Sequence, residues 1–229
     1  GKPKGVLVSH GSLVNKIVEE IELLNANDTT TCAVLTPTVF DVSFLETVLP
    51  LCCGGKMMIP TVSNHMQLQT LIDELIKEEV SIIQGTPTWF ANFVSDILPE
   101  QAVRLNQTLQ FICIGGESLN KVLVKKIKTL LPDVKINNHY GPTEATIDAI
   151  VNENLSTFDV NIIGKPMGNT YVYVLDNQGN ILPSGIQGEL CIGGPSIARG
   201  YWKDKIRTAE KFKETPFLPT PLYFTGDLA

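Results

Sequence analysis

Asn138, His139, Tyr140, Gly141, Pro142, Thr143 and Glu144 form one unbroken run of seven residues near the middle of the chain. The run joins a planar aromatic, a Gly-Pro turn, a hydroxyl and a carboxylate. A ring offers a stacking face, glycine lets a ligand come close to the backbone, a hydroxyl can donate to phosphate, and a carboxylate suits a hard cation. An adenine nucleotide with its magnesium ion needs those parts together. Other runs stand apart from the background: Phe40-Asp41-Val42-Ser43, Gly115-Gly116-Glu117-Ser118, Gly188-Glu189-Leu190, Ala198-Arg199-Gly200-Tyr201 and Tyr223-Phe224-Thr225-Gly226-Asp227-Leu228. The three histidines offer no catalytic triad, and no HExxH or GxSxG occurs. His10 and His65 read as satisfied or solvent-facing residues, whereas His139 immediately precedes the tyrosine.

The elements that must position these residues alternate. Val6–His10 reads as a short strand, and Ser12–Leu24 as a helix that Ser12 could cap. Strands are expected at 31–36, 56–59, 80–83, 111–114 and 134–137. Helices are expected at 44–51, 66–78, 87–98 and 119–131, the third opened by Pro87. Lys121, Lys125, Lys126 and Lys128 read as the solvated face of the last helix. Strands alternating with helices predict an α/β fold with a mostly parallel sheet flanked by helices. Asp41, Gln84, Gly115 and His139 follow or end apolar strand runs, so they are expected at the ligand-binding edge of that sheet. After about residue 150 the pattern changes to short strands at 171–175 and 189–192. Asp176-Asn177-Gln178-Gly179-Asn180 gives a turn signal, and Leu218-Pro219-Thr220-Pro221 reads as a rigid loop. Two parts are therefore expected: 1–150, an α/β part binding nucleotide and amino acid, and 151–229, a small β-rich subdomain.

The 229 residues are 43% hydrophobic and 18% charged, which is an ordinary folded composition with enough chain for a real core. The net charge of −6 argues against a general nucleic-acid binder. No apolar run approaches the roughly 18–20 residues of a membrane span, and no signal peptide is visible. Five cysteines without a CxxC pair suggest neither a disulfide framework nor a zinc site. Adjacent Cys52 and Cys53 read as buried free thiols, and a reduced cytoplasmic setting is expected.

In this order the motifs closely resemble the core motifs of amino-acid adenylation domains of nonribosomal peptide synthetases. That family belongs to the adenylate-forming superfamily, with acyl-CoA synthetases and luciferases. The resemblance runs over essentially all of the chain. It implies that the chain is part of the large N-terminal domain of such an enzyme, and that ATP and Mg2+ are its cofactors. Tyr140 would stack on adenine, Asn138 would bond its exocyclic amine, and Gly115, Gly116 and Glu117 would lie against the base. Thr143 would contact the α-phosphate and Glu144 would bind Mg2+. Asp227 would hold the ribose hydroxyls. Lys4 matches the lysine that ends a phosphate loop in Lys2-Pro3-Lys4-Gly5. Asp41 would pair with the substrate α-ammonium, a group that needs an anion when buried. The runs at 188–190 and 198–201 look structural.

The resemblance also gives a side-chain pocket of Asp41, Val42, Leu45, Gln84, Ile112, Ile114, His139, Ile147 and Asp148. A buried Asp148 without a partner would be costly. A substrate side chain with a donor, even a cation, on an aliphatic stem would satisfy it, and so would water or His139. The implied reaction activates an amino acid with ATP to aminoacyl-AMP and loads it onto the phosphopantetheine thiol of a carrier protein. Neighbouring synthetase domains would be partners, and nucleic acid and membrane would not. The N-terminal region, most of the phosphate loop and the small C-terminal domain of the family lie outside the matched stretch, so this stretch alone is expected to have little or no adenylation activity. A D-alanine–carrier protein ligase, an acyl-CoA synthetase and a non-catalytic binding or scaffolding piece are the rival readings. Pocket bulk near Cys113 and Ile114 would separate the first of these.

Overall fold

Helix starts follow the local chemistry. Helix α1 (His10–Leu23) begins two residues before the expected cap, because the Ser9 hydroxyl accepts from Ser12 N at 3.0 Å. Ser12 instead donates its own hydroxyl to Pro195 O at 2.8 Å. The strand expected over Val6–His10 reduces to a single bridge between Val6 and Tyr201. The structure is a computed structural model that describes residues 4–61, 67–157 and 159–229. Lys2, Pro3, His65 and Met66 therefore lie outside the described residues.

By contacts the chain divides into two units. One comprises Gly1–Glu19, Gly141–Ile150 and Pro166–Ala229, and the other Glu20–Tyr140 and Val151–Lys165. The single boundary at 150 read from the sequence differs from this division, which groups 1–19 with the C-terminal stretch and 151–165 with the sheet.

The second unit carries strands β1 (Thr31–Ala33), β2 (Lys56–Met58), β3 (Ile82–Gly85), β4 (Phe111–Gly115) and β5 (Lys135–Tyr140). With β6 (Ile150–Asn152) and β7 (Lys165–Pro166) the sheet order is β2-β1-β3-β4-β5-β6-β7. The ladders from β2 through β5 are all parallel, as the alternating pattern predicts. Helix α2 (Ser43–Cys52) follows β1, and α3 (Leu68–Lys77) precedes β3. The expected helix 87–98 is α4 (Pro87–Asp96), and a further helix that the sequence pattern did not place, α5 (Pro99–Thr108), follows it. Pro99 forces the residue before it into extended backbone, and Leu98 takes ψ 154°. Thr86 caps α4 by accepting from Trp89 N at 3.3 Å. Helix α6 (Lys121–Leu130) starts two residues later than expected because Asn120 supplies the cap, accepting from Leu123 N at 2.9 Å. Lys121, Lys125 and Lys126 are exposed on it and Lys128 is half-buried.

Apolar positions of α3, α4, α5 and α6 meet Ala33, Met58, Ile83, Ile112, Ile114 and Ile136 of the strands in one core. Phe90 and Phe93 are wholly buried there, and truncating either to alanine costs about 3–5 kcal/mol.

In the first unit β8 (Tyr171–Leu175), β9 (Glu189–Gly193), β10 (Phe212–Thr215) and β11 (Leu218–Leu228) form an antiparallel sheet in the order β10-β11-β9-β8. Its core is Leu175, Cys191, Leu222 and Phe224. Helix α7 (Lys205–Lys211) precedes β10, with Asp204 capping Arg207 N at 3.0 Å. The Leu218–Pro221 stretch, expected as a loop, is the start of β11, and the ladder to β10 slips between Lys213 and Thr215. Asp176 makes the expected turn, its carboxylate accepting from Gln178 N and Asn180 N.

None of the five cysteines is paired in a disulfide. Cys52 is exposed and Cys53 half-buried, so the expectation that both are buried is corrected. Both stand at the C-terminal end of α2, where Gly54 turns the chain with φ 80°. Among the described residues no helix is long and apolar enough to cross a membrane.

Candidate functional site

The second unit gathers its site residues at the C-terminal ends of parallel strands. Register places Gln84, Cys113 and Asn137 side by side on β3, β4 and β5, and Gly115 beside His139. Ile83, Ile112 and Ile136 stand in line one residue earlier, and Gly85, Ile114 and Asn138 one residue later than Gln84. Side chains alternate between faces along a strand. Gln84, Cys113, Asn137 and His139 therefore share one face with Gly115. Ile112 and Ile114 point the other way, into the core with Ile83 and Ile136. The sequence expectation that Ile112 and Ile114 line the pocket is corrected by this parity. Cys113 and Gly115, with Phe111 at the strand start, are the β4 residues on the face of Gln84 and His139. A side chain at Gly115 would bring its Cβ within 2.8 Å of the His139 carbonyl oxygen.

The same alternation sorts β5. His139 lies on one face, whereas Asn138 and Tyr140 lie on the other. His139 and Asn138 are buried, and Tyr140 is half-buried at the strand end. His139 Nδ1 stands 3.7 Å from Glu20 Oε1, both in the same unit. Gly116 has φ 81° and breaks β4 into an open turn. Glu117 is exposed and accepts from Thr88 N at 3.2 Å and Thr88 Oγ1 at 2.5 Å. The Thr88 hydroxyl holds its carboxyl below the usual range.

Asp41 and Val42 lie in the turn that leads into α2, where Asp41 O accepts from Phe44 N at 2.9 Å. Val42 sits at the cap of α2 without a side-chain cap bond. Leu45, on the first turn of α2, is buried. Glu46 beside it is wholly buried and fixes the chain after β1. It accepts from Leu35 N at 3.1 Å, Thr36 N at 2.8 Å and Thr36 Oγ1 at 2.7 Å. Burial pushes its carboxyl up to about 7 despite those donors. No motif pointed to Glu46, though its i+5 spacing from Asp41 places it on the helix that this turn opens.

In the first unit, Thr143–Ala145 form a single 3-10 turn after Pro142. Thr143 is half-buried and Glu144 is 2% exposed. Lys4 Nζ and the Tyr201 hydroxyl both donate to Glu144 Oε1, each at 2.5 Å. Burial opposes the charge on Glu144, but these two donors outweigh it, and its carboxyl lies below the ordinary value. The Tyr201 phenol is pushed up to about 12 by burial and by Glu144. The backbone completes the frame, with Ala198 N donating to Glu144 O at 2.8 Å. The run at 198–201 thus positions Glu144, a role that pairing residues 57 positions apart hides from any local pattern.

The chain then doubles back. Thr146 and Ile147 take φ 60° and 74°. Gly141 lies so close to this return that a Cβ there would sit 2.4 Å from Asp148 Cα. Ile147 and Asp148 are buried. Asp148 Oδ2 lies 3.8 Å from Lys16 Nζ, so the expectation of an aspartate in need of a donor meets a resident cation instead. At the far end Thr225 Oγ1 donates to Leu190 O at 2.7 Å, and Gly226 N donates to Glu189 Oε1 at 2.9 Å. Gly226 has φ 87°, the register of β11 against β9 shifts there, and Asp227 is left exposed.

Comparison with known proteins gives the family of the chain. The family described as "AMP-binding enzyme" matches residues 1–202. The chain is 34% identical over its whole length to bacitracin synthase 3 of Bacillus licheniformis, covering 4% of that protein. It is 37% identical to a dimodular nonribosomal peptide synthase of Bacillus subtilis (strain 168), covering 9% of it. Among solved structures it superposes with TM-score 0.86 and 32% identity on holo-AB3403, a four-domain nonribosomal peptide synthetase bound to AMP and glycine, covering 17% of that chain. It shares the fold of the nonribosomal peptide synthetase FmoA3 at TM-score 0.90 and 23% identity, covering 25% of that chain. The chain thus spans less than a tenth of the curated relatives named here. With most of its length matched by the family and all of it aligned to nonribosomal peptide synthetases, this chain belongs to the AMP-binding enzymes.

Proposed function

We propose that this chain carries the adenylate-forming chemistry of a nonribosomal peptide synthetase: activation of an amino acid by ATP. An oxygen of the amino-acid carboxylate attacks the α-phosphorus, the bond to pyrophosphate breaks, and aminoacyl-AMP forms. A carrier-protein thiol then displaces AMP to give a thioester. Tyr140 and Asn138 serve the adenine, with the Gly115-Gly116-Glu117 backbone against it. Asp227 serves the ribose, and Thr143 the α-phosphate. Asp41 receives the α-ammonium. Val42, Leu45, Gln84, Cys113, Gly115, His139, Ile147 and Asp148 face the substrate side chain. The alternation on β5 supports this division of labour, since His139 and Tyr140 are adjacent yet turned to opposite faces.

The observation that carries the proposal is Glu144, buried and kept ionised by Lys4 and Tyr201 at the end of the Tyr140 run. A fixed anionic oxygen donor is what a hard cation requires. Glu144 would hold Mg2+, which when bound offsets charge on the phosphates. None of the named side chains acts as a covalent nucleophile, so the acceleration rests on positioning and electrostatics.

Amino-acid-dependent exchange of pyrophosphate into ATP, measured on the full-length protein that carries this sequence, tests the reading. Exchange with one amino acid, abolished by Asp41→Ala, is expected. Exchange only with fatty acids, or with no acid, would overturn it.

A further inference from the structure

Lys16 is the residue that the reaction leaves unexplained. It sits on α1 with only 1% of its surface exposed. Taking an ammonium out of water is strongly unfavourable unless an anion and good acceptors replace the water. Its Nζ lies 2.7 Å from Met167 Sδ and 3.8 Å from Asp148 Oδ2, and all three residues belong to the first unit. A thioether is a weak, neutral acceptor, so the charge is matched by Asp148, which is itself buried. Taken by itself the Lys16–Asp148 pair is neutral. His139, the other ionisable side chain proposed to face the substrate, is likewise placed beside a buried acid of α1, Glu20. Lys16 and Glu20 stand one helical turn apart on the same face of that helix.

We propose that Lys16 is a specificity-determining residue: by neutralising Asp148 from within, it selects an amino acid with an uncharged side chain. The proposal rests on the reading above, in which Asp148 faces the substrate side chain. A cationic side chain would have to compete with a counter-ion already in place. An anionic one would meet Asp148 without a net positive charge to receive it. An uncharged side chain is the one that leaves the Lys16–Asp148 pair undisturbed.

The experiment is the same exchange assay on the full-length protein, run with a panel of uncharged (valine, leucine, glutamine), cationic (ornithine, lysine, arginine) and anionic (aspartate, glutamate) amino acids. The wild type is expected to turn over an uncharged acid. Lys16→Met is expected to raise the kcat/KM of a cationic acid relative to the wild-type substrate by about tenfold or more, mainly through KM. Lys16→Arg, which keeps the charge, is expected to keep the wild-type preference. The Lys16→Met/Asp148→Asn double variant removes both charges and is also expected to keep it, which preserves the test if the single variant does not fold. Wild-type preference for a cationic or anionic acid would overturn this inference while leaving amino-acid activation intact. An unchanged preference in folded Lys16→Met, or a new charge preference in the double variant, would overturn it too. No exchange with any amino acid would remove the underlying reading as well.

Discussion

The Tyr201 hydroxyl donates to Oε1 of Glu144 across 57 positions of sequence, and the carboxylate it reaches is almost fully buried. Tyr201→Phe keeps the ring and removes the donor. A hydrogen bond to a buried charge is worth about 1.5–3 kcal/mol, and chemical denaturation at neutral pH is expected to show a loss of that order. The pH dependence follows from the depressed carboxyl of Glu144. Its stabilisation is present above the unfolded value and is lost as pH falls through the folded one. In Tyr201→Phe the folded value rises, so acid unfolding is expected to begin at a higher pH than in the wild type. An unchanged acid limb would show that Lys4 alone sets the charge.

Glu46 has the opposite sign. Its carboxyl is raised from 4.5 to about 7 by burial, so the folded chain binds its proton more tightly than the unfolded chain. Stability from this group is fully present below the unfolded value and is lost as pH rises through about 7. The loss is on the order of 3 kcal/mol. Glu46→Gln keeps the acceptor for Leu35 N and Thr36 N and cannot ionise. Melting temperature plotted from pH 5 to pH 8 is expected to slope downward for the wild type and to be flatter for the variant. Parallel slopes would contradict the assignment.

Gly141→Ala is expected to be poorly tolerated. The added carbon would lie 2.4 Å from Asp148 Cα and 2.5 Å from Ile147 O, both backbone atoms that cannot rotate away. Overpacking of this kind costs about 1–3 kcal/mol or more. A thermal melt reads the loss directly, and a wild-type melting temperature would mean that the 141–148 return is softer than described.

Neighbouring positions of β4 are expected to behave differently. Ile112→Ala empties part of the core and should cost about 2–5 kcal/mol, with amino-acid preference unchanged in the folded fraction. Cys113→Ala removes one small side chain and should cost about 1 kcal/mol, yet shift the preference among amino acids in the exchange assay. Preference changing at 112 and not at 113 would invert the proposed faces.

Much of this was legible from local pattern. Alternating apolar runs announced the parallel sheet, and α2 ran from 43 to 52 where 44–51 was expected. The runs around Tyr140 and Asp227 ended up at strand termini. What escaped was governed by information that a linear pattern does not carry. Helix α5 was missed altogether, although Pro99 stands at its first turn, because its Gln- and Asn-bearing run shows only a weak apolar stripe. The assignment of Ile112 and Ile114 failed because apolar character alone cannot say which face of a strand a residue occupies, and the register to β3 and β5 does. Tyr201 and Lys16 escaped because each meets its carboxylate from a distant part of the chain, 57 and 132 positions away in sequence.

The strict alternation along β4 also has an evolutionary reading. Positions 112 and 114 fill the core while 113 and 115 face away from it, although the four are neighbours in the sequence. On the proposed reading, a change at Cys113 would retune ligand choice at small cost to the fold, any side chain at Gly115 would press on the His139 carbonyl, and a change at 112 or 114 would test the core. Such a strand lets a lineage explore new substrates in small steps, each of which keeps a folded protein.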